Sequence, residues 1–154
     1  MVSARLVHQI EDHWETIANR LARRVHETNE LPHLQKWPDS EVREAARRVL
    51  QNLGHWLISS GGHELAERYQ QLGRQRCDEG FPCCEAVRAF QLMRQETFNY
   101  IRDQGFLNTS VDVYAEEELS INLARFFDLL QYYIVMGYEA RLRHPVRQRQ
   151  AAAG

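Results

Sequence analysis

The sequence lacks an uninterrupted apolar stretch of the roughly 18 residues that a membrane span requires. Asp128 and Gln131 interrupt its greasiest segment. Residues 1–15 carry charges and the histidines His8 and His13 where a signal peptide would have an apolar core. Cysteine is scarce: Cys77, Cys83 and Cys84 are an odd set, and adjacent Cys83 and Cys84 make a poor disulfide pair. Reduced thiols in a cytoplasmic protein are the economical reading. No excess of basic charge exists either, the formal net charge being −2, which argues against a nucleic-acid or anionic-lipid partner. Proline is missing from Thr109 to Arg143, and that stretch holds a single glycine, Gly137.

Signatures of catalysis are missing as well. There is no glycine-rich phosphate loop, no G-x-S-x-G elbow and no H-E-x-x-H pair. His63-Glu64 is followed at position 67 by glutamate instead of the second histidine. Metal chemistry has little to build on. Glu30 and His33 have the spacing of a helical ligand pair but fall in the proline-bounded connection, and His8 with Asp12 suits a surface contact. A haem ligand would have to be His55 or His63, the mid-chain histidines. His55 lies off the apolar stripe of its helix and His63 sits at a helix start, so no cofactor is expected.

What remains is helix. The 154 residues suffice for one domain, expected over residues 1–144 with a frayed tail over 145–154. Ser3 can cap a first helix with Leu6, Ile10, Trp14, Ile17, Leu21 and Val25 along one side. Pro32 and Pro38 make the next segment a connection, with Leu31, Leu34 and Trp37 tucked inward. Asp39 or Ser40 opens a second helix through Val42, Ala45, Val49, Leu53, Trp56 and Leu57, stopped by Ser59-Ser60-Gly61-Gly62. A third, from His63 to Glu79, closes at Gly80, a natural glycine just past a helix end. Pro82 opens the fourth, with Ala86, Val87, Phe90, Met93, Thr97 and Ile101 inward, and Gly105 ends it. Thr109 with Asp112 resembles a capping box for the fifth.

The fifth helix is acidic at its start (Asp112, Glu116, Glu117, Glu118) and basic at its end (Arg141, Arg143, His144), which complements the helix dipole. From Phe126 to Met136 its apolar residues occupy nearly every heading, and a helix apolar all round must be covered on both sides. A second copy of the chain is the simplest cover. Phe126, Phe127, Leu130, Tyr133, Ile134 and Tyr138 are therefore expected to divide between the core and a homodimer interface. Arg94 lies at the edge of the fourth helix's inward stripe, where an arginine wants a carboxylate partner. It either pairs with the acidic start of helix five or faces an anionic ligand in a pocket lined by Phe90, Tyr133 or Tyr138. Cys77, Cys83 and Cys84 flank the Gly80-Phe81-Pro82 corner. Thiols in the first turn of a helix can have a lowered pKa, which would suit a redox switch, whereas packing as small hydrophobes is the plainer role.

The run Leu72-Gly73-Arg74-Gln75-Arg76-Cys77-Asp78-Glu79-Gly80-Phe81, followed by Glu85-Ala86-Val87-Arg88-Ala89-Phe90-Gln91-Leu92-Met93-Arg94, resembles the N-terminal domain of the RsbR/RsbRD family. These are the RsbT co-antagonist input domains of bacterial stress signalling, similar to modules at the front of some histidine kinases. The resemblance in element order extends over most of residues 5–143. It implies an all-α, five-helix, globin-like but non-haem bundle with a long C-terminal helix. It also implies a homodimer without catalytic residues or cofactor, relaying signals to a C-terminal output domain or a partner signalling protein. The sequence departs from the family in carrying no STAS or kinase output after helix five. An excised input domain and a stand-alone protein are both compatible with that ending.

Overall fold

The computed structural model describes residues 4–59, 62–105 and 109–144. Among them the chain forms seven α-helices, a short 3-10 turn and no strand, the all-α class expected. The helices are α1 (Ala4–Asp12), α2 (Trp14–Glu27), α3 (Asp39–Leu50), α4 (Leu53–Ser59), α5 (His63–Asp78), α6 (Cys83–Asp103) and α7 (Ser110–Arg143). Ser3, Gly61 and the tail from Pro145 onward lie outside the described residues.

The count of seven in place of five has two local causes. The first expected helix breaks at His13, whose Nδ1 lies 3.0 Å from the carbonyl oxygen of Gln9, the acceptor its own backbone N–H also uses. The stripe survives the break: Leu6, Ile10, Ile17, Leu21 and Val25 are all buried. The second breaks at Gln51 and Asn52. There the Trp56 indole donates back to the Arg48 carbonyl at 3.2 Å, satisfying an end-of-helix acceptor that the break would strand. α5 ends in a Schellman motif: Gly80 has φ +73°, its N–H bonds the Cys77 carbonyl, and the Phe81 N–H bonds that of Arg76. Thr109 and Asp112 form the capping box that opens α7, through reciprocal bonds of 3.1 and 3.2 Å.

α7 has 34 residues, about 51 Å of helix. It packs most extensively on α5, then on α6, and touches α1 and α4 as well. Phe126, Phe127, Leu130, Ile134 and Tyr138 are consequently buried within the single chain. Neighbouring helices of the same molecule supply the cover that the sequence assigned to a partner. Those five residues are therefore core, and of the expected interface set only Tyr133 stays half-buried at the core's edge. The face of α7 left to solvent carries Tyr114, Ile121, Tyr132 and Met136 instead.

Candidate ligand groove and relay corner

The corner between α5 and α6 gathers most of the distinctive side chains. The Schellman turn aims Phe81 inward, where its ring meets Trp37 at 5.2 Å between centroids. The Arg76 guanidinium lies 4.6 Å from the Trp37 ring centroid, a cation–π distance, and pairs with Glu79 at 2.8 Å. From the other side the Tyr138 hydroxyl donates to the Phe81 carbonyl at 2.7 Å. One residue of the corner thus touches both the α2–α3 connection and the long helix. Farther along α7, Arg141 pairs with Asp78 at 2.9 Å.

The connection is anchored by a carboxylate. Glu85, in the first turn of α6, is buried. It accepts hydrogen bonds from the backbone N–H groups of His33 and Leu34 at 3.0 and 3.2 Å and contacts the His33 ring at 2.5 Å. It caps the 3-10 turn Leu34–Lys36 and so sets the position of Trp37. His33, considered above beside Glu30 as a metal ligand, is a structural partner here. Among the described residues no group of three or more His, Cys, Asp or Glu could hold a metal ion.

Behind Trp37 and Phe81 lies an apolar cavity of about 70 Å³, walled by Leu21, Val25, Val42, Leu72, Phe90 and Met93 among others. Ala45, Leu72, Arg76 and Phe90 are shared with an adjoining groove between α3 and α5 of about 320 Å³. That groove is lined by Arg48, Arg68 and Arg76 together with Tyr69, Gln71 and Gln75. Burial pushes the Tyr69 phenol up to about 12, while the charges of Arg68 and Arg48 pull the other way. Tyr138 is raised too, first by burial and then by the Cys83 and Cys77 thiols.

Several expectations are corrected by this geometry. Phe90 does line the cavity, but Arg94 does not join it. Four residues of helix turn through 400°, so Arg94 is rotated about 40° past Phe90 and sits one turn along. It lines a separate groove with Arg24, Arg102 and Glu116. It makes no ion pair with a described residue, so the expected bridge to the acidic start of α7 is not formed. Tyr133 packs at the core edge, and Tyr138 spends its hydroxyl on Phe81. The four residues proposed for one pocket are therefore dispersed.

The thiols also differ from the redox expectation. Burial pushes the Cys83 thiol pKa up, assisted by Cys84, Cys77 and Glu139, away from the thiolate that exchange chemistry needs. No histidine lines the cavity. His55 and His63 are exposed and face Glu64 and Glu67, so neither is placed to hold haem. Sequence reasoning gave Arg76 and Tyr69 no site, and it passed over Arg48 and Arg68. The spacing Arg68-Leu72-Arg76 on one side of α5 was a usable signal, but its counterpart on α3 appears only in three dimensions.

No described helix is long and apolar enough to cross a membrane. The model of the family described as the RsbT co-antagonist protein rsbRD N-terminal domain matches residues 15–153. No curated protein and no solved structure matches the chain significantly.

Proposed function

This chain belongs to the RsbRD N-terminal domain family, and from that membership we propose that it is a non-catalytic input domain of a bacterial stress-signalling protein. In this reading it works as a cytoplasmic homodimer. It relays its state through α7 to a C-terminal output or to a partner such as the RsbT of the family's description. A histidine kinase is the alternative output. The family match carries the assignment to signalling.

The dimer is supported by the solvent face of α7. Tyr114, Ile121, Tyr132 and Met136 are 71%, 48%, 60% and 36% exposed. They fall on one side of the helix, with Arg125 and Asp128 between them. Large apolar side chains in register on a surface helix mark a contact face, and a two-fold dimer would present the same stripe from both copies. Relay through α7 fits the tie between Tyr138 and Phe81. Helix interfaces repack between discrete arrangements, so a small shift at that corner could move the whole helix.

Light scattering over a tenfold concentration range tests the dimer. The expected mass is twice the 18.1 kDa chain, falling to one chain in Tyr132→Asp with the melting temperature nearly unchanged. A wild-type monomer would overturn this assignment of the face. The competing reading, a small-molecule sensor, is favoured by the cavity and its arginine-lined groove. Within that reading, the cavity of about 70 Å³ favours a small ligand over a porphyrin.

A further inference from the structure

We propose that the groove between α3 and α5, with the cavity behind it, binds a small carboxylate carrying a short alkyl tail. Three arginines line the groove, Arg48, Arg68 and Arg76, and no carboxylate does. Each has one acidic neighbour away from the groove: Glu44 at 3.4 Å, Glu64 at 3.9 Å and Glu79 at 2.8 Å. A guanidinium has five N–H donors, so these single contacts leave donors for a second anion. Two of the cations are held in place by rings, Arg68 at 5.0 Å over Trp56 and Arg76 at 4.6 Å over Trp37. Preorganised cations of this kind lower the ordering cost of binding.

Tyr69 is the independent observation. Its ring is buried, the residue being only 3% exposed, and it lines the groove; its hydroxyl, open to the groove, makes no hydrogen bond with any described residue. The phenol O–H is therefore available as a donor to whatever enters the groove. A carboxylate in the groove would supply the acceptor, with the phenol donating and the arginines balancing the charge.

The apolar end follows from where the groove leads. Its inner wall, Ala45, Leu72 and Phe90, is also wall of the cavity. A dry cavity of ~150 Å³ accommodates benzene, and this one is about 70 Å³. A tail of a few carbons fits, and a long acyl chain does not. The ligand would lie against Trp37 and Phe81, the residue tied to Tyr138. Its meaning as a signal rests on the input-domain reading above, whereas the binding itself does not.

The test is a titration of the full chain with sodium acetate, butyrate, pentanoate and octanoate at constant ionic strength. Tryptophan fluorescence and ligand-observed NMR report binding, since Trp37 and Trp56 flank the site. Butyrate or pentanoate is expected to saturate, about tenfold tighter than acetate, with octanoate no better than pentanoate. Arg68→Gln and Arg48→Gln should each weaken binding about tenfold without altering the melting temperature. Ala45→Leu, which narrows the shared wall, should abolish the preference for a tail.

Equal affinity for acetate and pentanoate would mean a bare anion site and overturn the proposal. So would unchanged binding in both arginine variants, or no saturable signal with any of the four acids. Failure here leaves the family-based reading standing. Binding that alters neither the dimer nor the partner contact would keep this site and overturn the input-domain reading.

Discussion

Gly73 and Gly137 meet backbone to backbone where α5 crosses α7. A Cβ on Gly73 would come within 2.3 Å of the Ile134 carbonyl oxygen, and one on Gly137 within 2.2 Å of the Gln70 carbonyl oxygen. No rotamer change relieves either clash, because both obstacles are main chain. This close backbone approach therefore depends on two missing methyl groups.

Gly137→Ala should accordingly destabilise the protein. Overpacking costs about 1–3 kcal/mol, and a clash with rigid backbone belongs at the upper end, against a helix-propensity gain of about 1 kcal/mol. A fall in melting temperature of several degrees is the expected calorimetric result. Gly54→Ala is the control, since its nearest neighbours would be 3.5 Å away. It should be neutral or slightly stabilising. Equal melting temperatures for the two variants would show that the crossing is not tight.

Tyr138→Phe removes one donor and strands the Phe81 carbonyl. The expected loss is about 1–2 kcal/mol, seen as a lower urea midpoint with an unchanged slope. An unaltered midpoint would mean that solvent replaces the bond and that the corner is not coupled to α7 through it.

Glu85→Ala leaves two backbone N–H groups and the His33 ring without their acceptor. We expect about 2–4 kcal/mol of destabilisation, with hydrogen exchange accelerating first at His33 and Leu34. If those amides keep their protection, the carboxylate is not what holds the connection.

Tyr69 predicts a loss of stability in alkali. Its phenol ionises at about 12 in the fold against 10.0 when unperturbed, so the folded state holds the proton more tightly. Below pH 10 the phenol is neutral in both states and its contribution is constant. From pH 10 to about 12 only the unfolded chain ionises, costing about 3 kcal/mol over the window. Chemical denaturation across that range should show the decline, and Tyr69→Phe should flatten part of it.

Local punctuation was legible in the sequence. Thr109 with Asp112, the glycine after α5 and the dipole-matched ends of α7 all lie within a few residues of the structure they dictate. The breaks at His13 and at Gln51-Asn52 were not legible, because the apolar stripe continues through both. The burial of Phe126, Phe127 and Ile134 was read correctly as a need for cover on many sides, and neighbouring helices of the same chain supply that cover. A helical wheel counts apolar headings but cannot say whether α1, α4, α5 and α6 occupy them. The groove shared by Arg48 and Arg68 failed for the same reason, since it exists only once α3 lies beside α5.

The glycine crossing sits far from the middle of α7. From Gly137 it is about 40 Å of helix back to Ser110 and only about 9 Å forward to Arg143. A rigid rod tilting about that point is a lever with arms in a ratio of more than four to one. A displacement of about 4 Å near Tyr114 would become about 1 Å at Arg143. Run the other way, a nudge of about 1 Å there sweeps the far end through several. Small displacements at the Arg143 end are thus amplified at the Tyr114 end, and large ones there are reduced on the way out.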